Sequence, residues 1–349
     1  MTKTSAGNFF EDFSIGQVIR HATPRTITTG DVAVYTALYA PRFAVQSSDN
    51  FSRALGYPQA PIDDLLVFHI VFGRTVSDIS LNAIANLGYA DCRFLRPVYP
   101  GDTLLGETEI IGLKENSSRE TGVVHVRTRG LNQKDETVLE FVRWVMVRKR
   151  DPQSPAPEAL VPEHAAEVAP DTLGGAVPPL YLHNWEASLT GSKARWHHYE
   201  PGEKIDHIDG TTVEEAEHML ATRLYQNTAR VHFNQHAEAG GRFGRRIVYG
   251  GHVISIARAL SFNGLANAFH IAAINGGRHS APLFAGGTVY AWSEVRDRAE
   301  IPSRSDIGAL RILTRATCDL PCGDFPTADG GPDKPGVILE LDYWAVLPR

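Results

Sequence analysis

The chain has 349 residues, of which 43% are hydrophobic and 21% are charged, and its formal net charge is -6. This length allows two domains, and the negative charge disfavours a nucleic-acid partner, because such partners require a basic surface. No apolar run approaches the length of a bilayer span, and the three cysteines form no disulfide framework. The N-terminal stretch lacks the basic and apolar regions of a secretory signal, so we expect a cytoplasmic protein.

The sequence contains an internal repeat. When residues 13–39 are placed on residues 199–225, an offset of 186, many glycine, isoleucine, histidine and tyrosine positions coincide. A second match, at an offset of 185, joins residues 96–103 to residues 281–288. A repeat of this length predicts two similar folded halves. We predict an N-terminal half, a linker rich in proline and alanine, and a C-terminal half, with the boundaries 1–150, 151–180 and 181–349.

Each half predicts the same order of elements. A threonine followed by an acid three residues later is a helix-capping pattern, and it predicts helix starts at Thr28 and at Thr211–Thr212. Apolar segments predict a buried helix over about residues 63–75 and a counterpart over about 251–262. Alternating apolar and polar residues predict antiparallel strands over 103–115, 122–132, 137–149, 286–298, 307–319 and 336–347. A long buried helix against a curved antiparallel sheet, twice over, is an α+β fold.

The two copies differ at the positions that could carry chemistry. Seven residues after a tyrosine that both copies share, the first has Gln46 and the second has His232. A neutral imidazole transfers protons at ordinary pH. Gly250 and Gly251 open the second buried helix, where glycine lets a ligand carbonyl approach backbone N–H groups that have no partner within the helix. Together these groups form a minimal set for enolate chemistry on a thioester, which predicts a catalytic second half.

The repeat, the segment FLRPVYPGDTL and the order of tyrosine, His232 and Gly-Gly helix resemble the MaoC-like (R)-enoyl-CoA hydratases, which are often double hot-dog folds. The segments LYQNTARVHFNQH and GRRIVYGGHVISIARALSFNGLANAFHIAAINGGRH resemble the members that hydrate mesaconyl-CoA (2-methylfumaryl-CoA) to 3-methylmalyl-CoA. The resemblance implies a reversible hydro-lyase that acts in C2 assimilation through the ethylmalonyl-CoA pathway. It implies an acyl-CoA thioester substrate, no metal or redox cofactor, and a dimer of chains, with CoA as part of the substrate.

The resemblance also implies roles for individual residues. The family motif Asp-x-Asn-Pro-x-His places Asn227 at the Asp position and His232 at the His position, and the Asn-Pro pair is absent. Because an amide cannot exchange protons as a carboxylate does, His232 is expected to transfer the proton and Asn227 to position the water. The family's oxyanion-hole glycine falls on Gly251, with Gly250 beside it.

Other residues are predicted to contact the substrate, namely Tyr225, Tyr249, Arg242, Arg245 and Arg246. The arginines suit CoA phosphates or the free carboxylate of a dicarboxylic acyl group, and a solvated basic turn is the alternative. The match of Tyr225 with Tyr39 equally suits core packing.

Two further clusters have structural explanations. Asp63 and Asp64 are expected to cap the first buried helix, with completion of the substrate tunnel as the alternative. The pairs His197–His198 and Cys318–Cys322 lack further ligands at suitable spacing, so we expect no metal site.

Three other functions stay open at the level of the residues. They are an (R)-specific hydratase of another enoyl-CoA, an acyl-CoA thioesterase on the same fold, and a non-catalytic acyl-CoA-binding protein. The thioesterase would need an acidic nucleophile or base in the site. The binding protein would hold a CoA ester without turnover.

Overall fold

The computed structural model describes residues 3–302 and 304–349, which form a ten-stranded antiparallel sheet. The strands of the first half are β1 Val18–Thr26, β2 Ala83–Phe94, β3 Thr103–Glu115, β4 Thr121–Leu131 and β5 Thr137–Arg148. Those of the second half are β6 Lys204–Thr212, β7 His270–His279, β8 Thr288–Glu300, β9 Ile307–Cys318 and β10 Gly336–Pro348. The strand order is β1-β3-β4-β5-β2-β7-β10-β9-β8-β6. This order reads the same from both edges, so a pseudo-twofold axis relates the two sets of five strands.

The helices pack against this sheet. Those of the first half are α1 Thr29–Tyr39, α2 Ala44–Ser47, α3 Asp49–Leu55 and α4 Asp64–Thr75. Those of the second half are α5 Ala187–Thr190, α6 Glu215–Leu224, α7 Arg230–Phe233, α8 Gln235–Glu238, α9 Gly250–Leu260 and α10 Phe262–Leu265. Helices α4 and α9 are buried along most of their length because their sequences are apolar on nearly all sides. The α+β arrangement predicted from the sequence is confirmed.

The six strands predicted from alternation correspond to β3, β4, β5, β8, β9 and β10. Alternation gave no prediction for β2 and β7, because β7 is buried at its first six positions and neither strand keeps a regular inside–outside pattern. These two strands join the halves by antiparallel pairing between residues 89–93 and 273–277. The sequence pattern therefore did not predict the strand pairing that joins the two halves.

The predicted helix caps have different outcomes. Thr28 caps α1 as predicted, since its side chain accepts from the Asp31 N–H and the Asp31 carboxylate accepts from the Thr28 N–H. Asp63 caps α4 by accepting from the N–H of Leu65. The prediction for the second half is wrong, because Thr211 and Thr212 belong to β6, where Thr212 pairs with Thr288, and Glu214 is the cap residue of α6.

The segment 151–180 contacts the sheet through Leu160, which forms an isolated bridge with Leu113. Farther along, Val168, Leu173 and Val177 are buried in an apolar cluster that also contains Trp344. The segment is therefore packed against the folded halves over part of its length. The boundaries 1–150, 151–180 and 181–349 stay predictions.

Among the described residues, no helix combines the length and apolar character that a bilayer-spanning segment requires. The same part of the chain holds no group of three or more histidine, cysteine, aspartate or glutamate residues arranged to bind a metal ion. The paired histidines at 197–198 and the cysteines at 318 and 322 therefore form no such group among the residues described.

Two buried hydrogen bonds join residues to their own counterparts in the repeat. The hydroxyl of Tyr225 donates to the hydroxyl of Tyr39 at 2.8 Å, and these residues lie 186 positions apart. Nε2 of His69 lies 3.0 Å from Oγ of Ser255, with the same separation in sequence. A residue touches its own symmetry equivalent only near a twofold axis. The pseudo-axis therefore passes between α4 and α9, through a polar contact inside the core.

Helix α4 also approaches the chain that follows α6 at very close range. A Cβ atom on Gly73 would lie 1.9 Å from the carbonyl oxygen of Tyr225. No side chain fits in that space, so glycine at this position lets the two halves pack.

Replacement of Gly73 by alanine is expected to lower the free energy of unfolding by about 1–3 kcal/mol, because the methyl group forces the halves apart. Gly240→Ala is the matched control, since a Cβ at Gly240 meets no atom within 4 Å. We expect this control to change stability by less than about 0.5 kcal/mol. Chemical denaturation of both variants measures the difference, and equal stabilities would contradict the close contact.

Candidate active site

Two hydrogen bonds fix the short helix α7 against the segment that leads into α9. The N–H of Ile247 donates to the carbonyl of Val231 at 3.0 Å, and Nδ1–H of His232 donates to the carbonyl of Ile247 at 2.9 Å. The proton of the neutral imidazole is thereby placed on Nδ1, which leaves the lone pair on Nε2. Within the described residues, Nε2 of His232 has no hydrogen-bond partner. It is therefore available to accept a proton.

The surroundings keep this imidazole neutral. Burial lowers the pKa of His232 to about 4, and the hydrogen bond to Ile247 opposes this shift only in part. The ring lies against Tyr249, with 5.5 Å between the ring centroids. A neutral imidazole with an open Nε2 is the form that a general base needs near pH 7.

The first turn of α9 lies beside Tyr249, its cap residue. In the part of the chain that the structure describes, neither Gly250 nor Gly251 donates its backbone N–H to an acceptor. A Cβ on Gly251 would lie 2.5 Å from Cε1 of His69, so this turn requires glycine for packing as well. Two N–H groups at the positive end of a helix form a site for a carbonyl oxygen that gains negative charge.

His279, at the end of β7, is a site residue that sequence reasoning missed. A Cβ on Gly250 would lie 2.5 Å from Nε2 of His279, so this imidazole lies against the first turn of α9. Its Nε2 is buried and has no partner among the residues described. Burial is the main cause that lowers the pKa of His279 to about 4, and the electrostatic coupling to His232 is the second. Its only sequence signal was its place in the segment that resembles the family, because β7 itself was not predicted.

Asn227 lies just before α7 and is almost completely buried. Its Oδ1 accepts from the N–H of Ala229 at 3.1 Å, and its own N–H donates to the carbonyl of Thr222. Its side-chain amide nitrogen makes no hydrogen bond to any described residue. The side chain is thus held in place through its oxygen, and an N–H donor is left to orient a water molecule.

The predicted tyrosines lie behind this site. The hydroxyl of Tyr225 bonds to Tyr39 on the pseudo-axis, and Tyr39 lies 2.7 Å from Nδ1 of His252. The hydroxyl of Tyr249 lies 3.4 Å from Nδ1 of His69. These contacts favour the packing alternative for Tyr225, whereas Tyr249 separates the core from His232.

The three arginines lie on the segment between α8 and α9. Arg246 forms an ion pair with Glu215, and the exposed Arg242 stacks on Phe243. Arg245 is also exposed, with its guanidinium 3.9 Å from the centroid of the Phe284 ring. Arg246 is thus paired with Glu215 within the protein. Arg242 and Arg245 face solvent, where CoA phosphates could reach them.

The equivalent place in the first half is filled by the protein itself. Gln46 stands where the second half has His232, and its side-chain nitrogen donates to the carbonyl of Phe269 at 2.7 Å. Asp64 stands where the second half has Gly250, and its carboxylate accepts from the N–H of Ile271 and from Nδ1–H of His270. The remaining cavity is about 10 Å³, which holds at most one water molecule. The carboxylate of Asp64 is therefore used in hydrogen bonds within the protein, which argues against its alternative role in a substrate tunnel.

A larger cleft of about 440 Å³ lies near the other end of α9, lined by Tyr39, Arg42, His207, Leu260 and Asn263 among others. Both ring nitrogens of His207 have partners, in the carbonyl of Asn263 and in Ser293. His207 therefore has no free ring nitrogen with which to accept a proton in this cleft.

Comparisons with known proteins identify the family of this chain. The family model for mesaconyl-CoA hydratase matches residues 1–317. The β-methylmalyl-CoA dehydratase of Chloroflexus aurantiacus is 62% identical over 349 residues, which cover 99% of each chain. The mesaconyl-CoA hydratase of Cereibacter sphaeroides is 56% identical over 351 residues, covering 99% of this chain and 100% of that protein.

Solved structures give the same result. A MaoC domain dehydratase from Chloroflexus aurantiacus is 61% identical, covers 100% of this chain and 99% of its own, and superposes with a TM-score of 0.96. A Mycobacterium tuberculosis protein with a double hot-dog fold is 24% identical, covers 99% of both chains and has a TM-score of 0.73, which is a likeness of fold. The predicted double hot-dog fold is confirmed. The chain belongs to the mesaconyl-CoA hydratase family.

Proposed function

We propose that this protein catalyses the reversible hydration of mesaconyl-CoA to 3-methylmalyl-CoA. The names of the two relatives, at 62% and 56% identity over nearly the whole chain, support the substrate. Two features of the described residues support the reaction type: the open Nε2 of His232, whose ring lies against Tyr249 at the start of α9, and the unpaired N–H groups of Gly250 and Gly251. CoA is part of the substrate, and the proposal includes no metal or redox cofactor.

In the proposed mechanism, the thioester oxygen accepts hydrogen bonds from Gly250 and Gly251, which stabilise its charge as an enolate forms. The amide nitrogen of Asn227 orients a water molecule. Nε2 of His232 takes one proton from this water as its oxygen bonds to C3. The imidazolium then returns that proton to C2, so both hydrogens of the water end in the product. Dehydration follows the same steps in reverse.

The direct test mixes the protein with mesaconyl-CoA and follows the loss of enoyl-thioester absorbance, with crotonyl-CoA in parallel. We expect the absorbance to fall to an equilibrium value with formation of 3-methylmalyl-CoA and no release of thiol. Release of CoA without the hydrated product would favour a thioesterase. Tight binding without turnover would favour a binding protein. The cytoplasmic location and the dimer of chains stay predictions beside this proposal.

His232→Ala is expected to reduce kcat/KM by about 10³-fold or more, because it removes the group that moves the proton. His236→Ala is the matched control, since His236 is exposed on α8 in the same segment. Steady-state kinetics and an unfolding curve should be measured for both variants. Activity of the His232 variant within tenfold of wild type would exclude His232 as the proton-transfer group.

The pH dependence of kcat/KM follows from the lowered pKa of His232. The neutral imidazole is the active form, so activity is lost only as pH falls toward about 4. We therefore expect wild-type kcat/KM at pH 5.5 to stay close to its value at pH 7.5. A tenfold loss at pH 5.5, as an imidazole of ordinary pKa would give, contradicts this assignment.

Asn227→Asp extends this measurement, because a nearby carboxylate favours the imidazolium form of His232. The acidic limb of the profile should then move to higher pH. Asn234→Asp is the control, since Asn234 is exposed and caps α8 through its side chain. Identical profiles for wild type and the Asn227 variant would place Asn227 away from the chemistry.

A further inference from the structure

Arg143, on β5, is a fully buried cation without an acidic partner among the described residues. Its guanidinium donates to Oγ1 of Thr75 at 2.7 Å, and more weakly to Ser80 at 3.4 Å and to Oδ1 of Asn86 at 3.5 Å. All three acceptors are neutral. Burial lowers the pKa of Arg143 to about 10, so the group is still charged at neutral pH. A buried charge paired only with neutral groups is costly for a protein to keep.

The same place has more donors than acceptors. In the described part of the chain, Nε of Arg143 and the side-chain nitrogen of Asn86 are both buried and have no hydrogen-bond partner. A buried donor without an acceptor costs stability, and native proteins rarely leave two of them side by side. Two donors and an unbalanced positive charge are the complement of a small anion.

Arg143 lies close to the candidate active site. It stands opposite Tyr89 on β2, and Tyr89 stands opposite Gly277 on β7. Residues directly opposite each other in an antiparallel pair project to the same face of the sheet, so Arg143 and Tyr89 lie on the same side. His279 follows two residues after Gly277, with its ring 6.4 Å from the ring of Tyr89. Tyr89 therefore stands between Arg143 on β5 and His279 on β7.

Those rings belong to both halves. The guanidinium carbon of Arg143 lies 4.3 Å from the centroid of the Phe72 ring, and Phe72 lies 5.8 Å from Tyr249. Tyr249 in turn caps α9 at Gly250. Arg143 therefore comes from the first half and faces the catalytic end of the second half.

Comparison of β5 with β10 shows that the fold does not require an arginine here. The segment LEFVRW of β5 aligns with LELDYW of β10, so Tyr343 stands where the first half has Arg143. Tyr343 is buried and neutral, and its hydroxyl accepts from Thr314 at 3.2 Å. The second half thus has a neutral side chain, that of Tyr343, at the position equivalent to Arg143.

We propose that Arg143 and Asn86 bind the free carboxylate of a dicarboxylic enoyl-CoA and select it over uncharged enoyl-CoA esters. This inference rests on the proposed function, because mesaconyl-CoA carries a carboxylate on C3, the carbon that the water attacks. With the thioester oxygen at the first turn of α9 and the carboxylate at Arg143, C3 is held from both sides. The carboxylate also supplies the counter-charge and the acceptors that the buried donors lack.

The test compares mesaconyl-CoA with tiglyl-CoA, (E)-2-methylbut-2-enoyl-CoA, in which a methyl group replaces the carboxylate. Arg143→Met should lose about 100-fold or more in kcat/KM for mesaconyl-CoA, because a buried charged pair is removed. The same variant should change by less than about threefold with tiglyl-CoA. Arg148→Met, an exposed arginine at the end of the same strand, is the control and should leave both values within about threefold.

An equal loss on both thioesters, or an unchanged kcat/KM for mesaconyl-CoA, would overturn the proposal. Unfolding curves establish whether Arg143→Met is folded, and if it is not, Asn86→Ala should lose about tenfold on mesaconyl-CoA alone. Failure of the proposed function looks different, because wild-type protein would then not hydrate mesaconyl-CoA. In that case, equilibrium binding of both thioesters to wild type and to the variant decides the role of Arg143.

Discussion

Polar contacts at the pseudo-axis hold the two halves in register. Tyr39 at the end of α1 meets Tyr225 just after α6, and His69 of α4 meets Ser255 of α9, through buried hydrogen bonds. The two halves therefore cannot slide without leaving polar groups unpaired. This register sets β2 beside β7 and directs the first turn of α9 toward groups of the first half. A site built at that turn is therefore shared between the halves, although its histidines come from the second.

The start of the buried helix is closed by a side chain in the first half and left open in the second. At the start of α4, the carboxylate of Asp64 binds Ile271 and His270, which leaves room for little more than one water molecule. At the start of α9, Gly250 and Gly251 leave two N–H groups without acceptors among the described residues. The two helix starts thus differ in side chains and in open N–H groups while the two halves share a fold.

Much of this could be predicted from the sequence, because alternation and apolar helices are local patterns. Apolar segments predicted both buried helices, alternation predicted six strands, and the contrast of Gln46 with His232 predicts that the second half is catalytic. Strands β2 and β7 were missed because they are buried without regular alternation, and His279 was missed with them. Arg143 lay in a predicted strand, but its burial and its lack of an acidic partner among the described residues become visible only when distant strands are paired.

A crystal structure with 2-methylsuccinyl-CoA, the saturated analogue, would show whether the thioester lies at the first turn of α9. We expect the thioester oxygen within hydrogen-bond distance of the N–H groups of Gly250 and Gly251, and Nε2 of His232 facing C2 and C3. Binding of the acyl group elsewhere, for example in the cleft of about 440 Å³ beside Arg42 and Asn263, would contradict it.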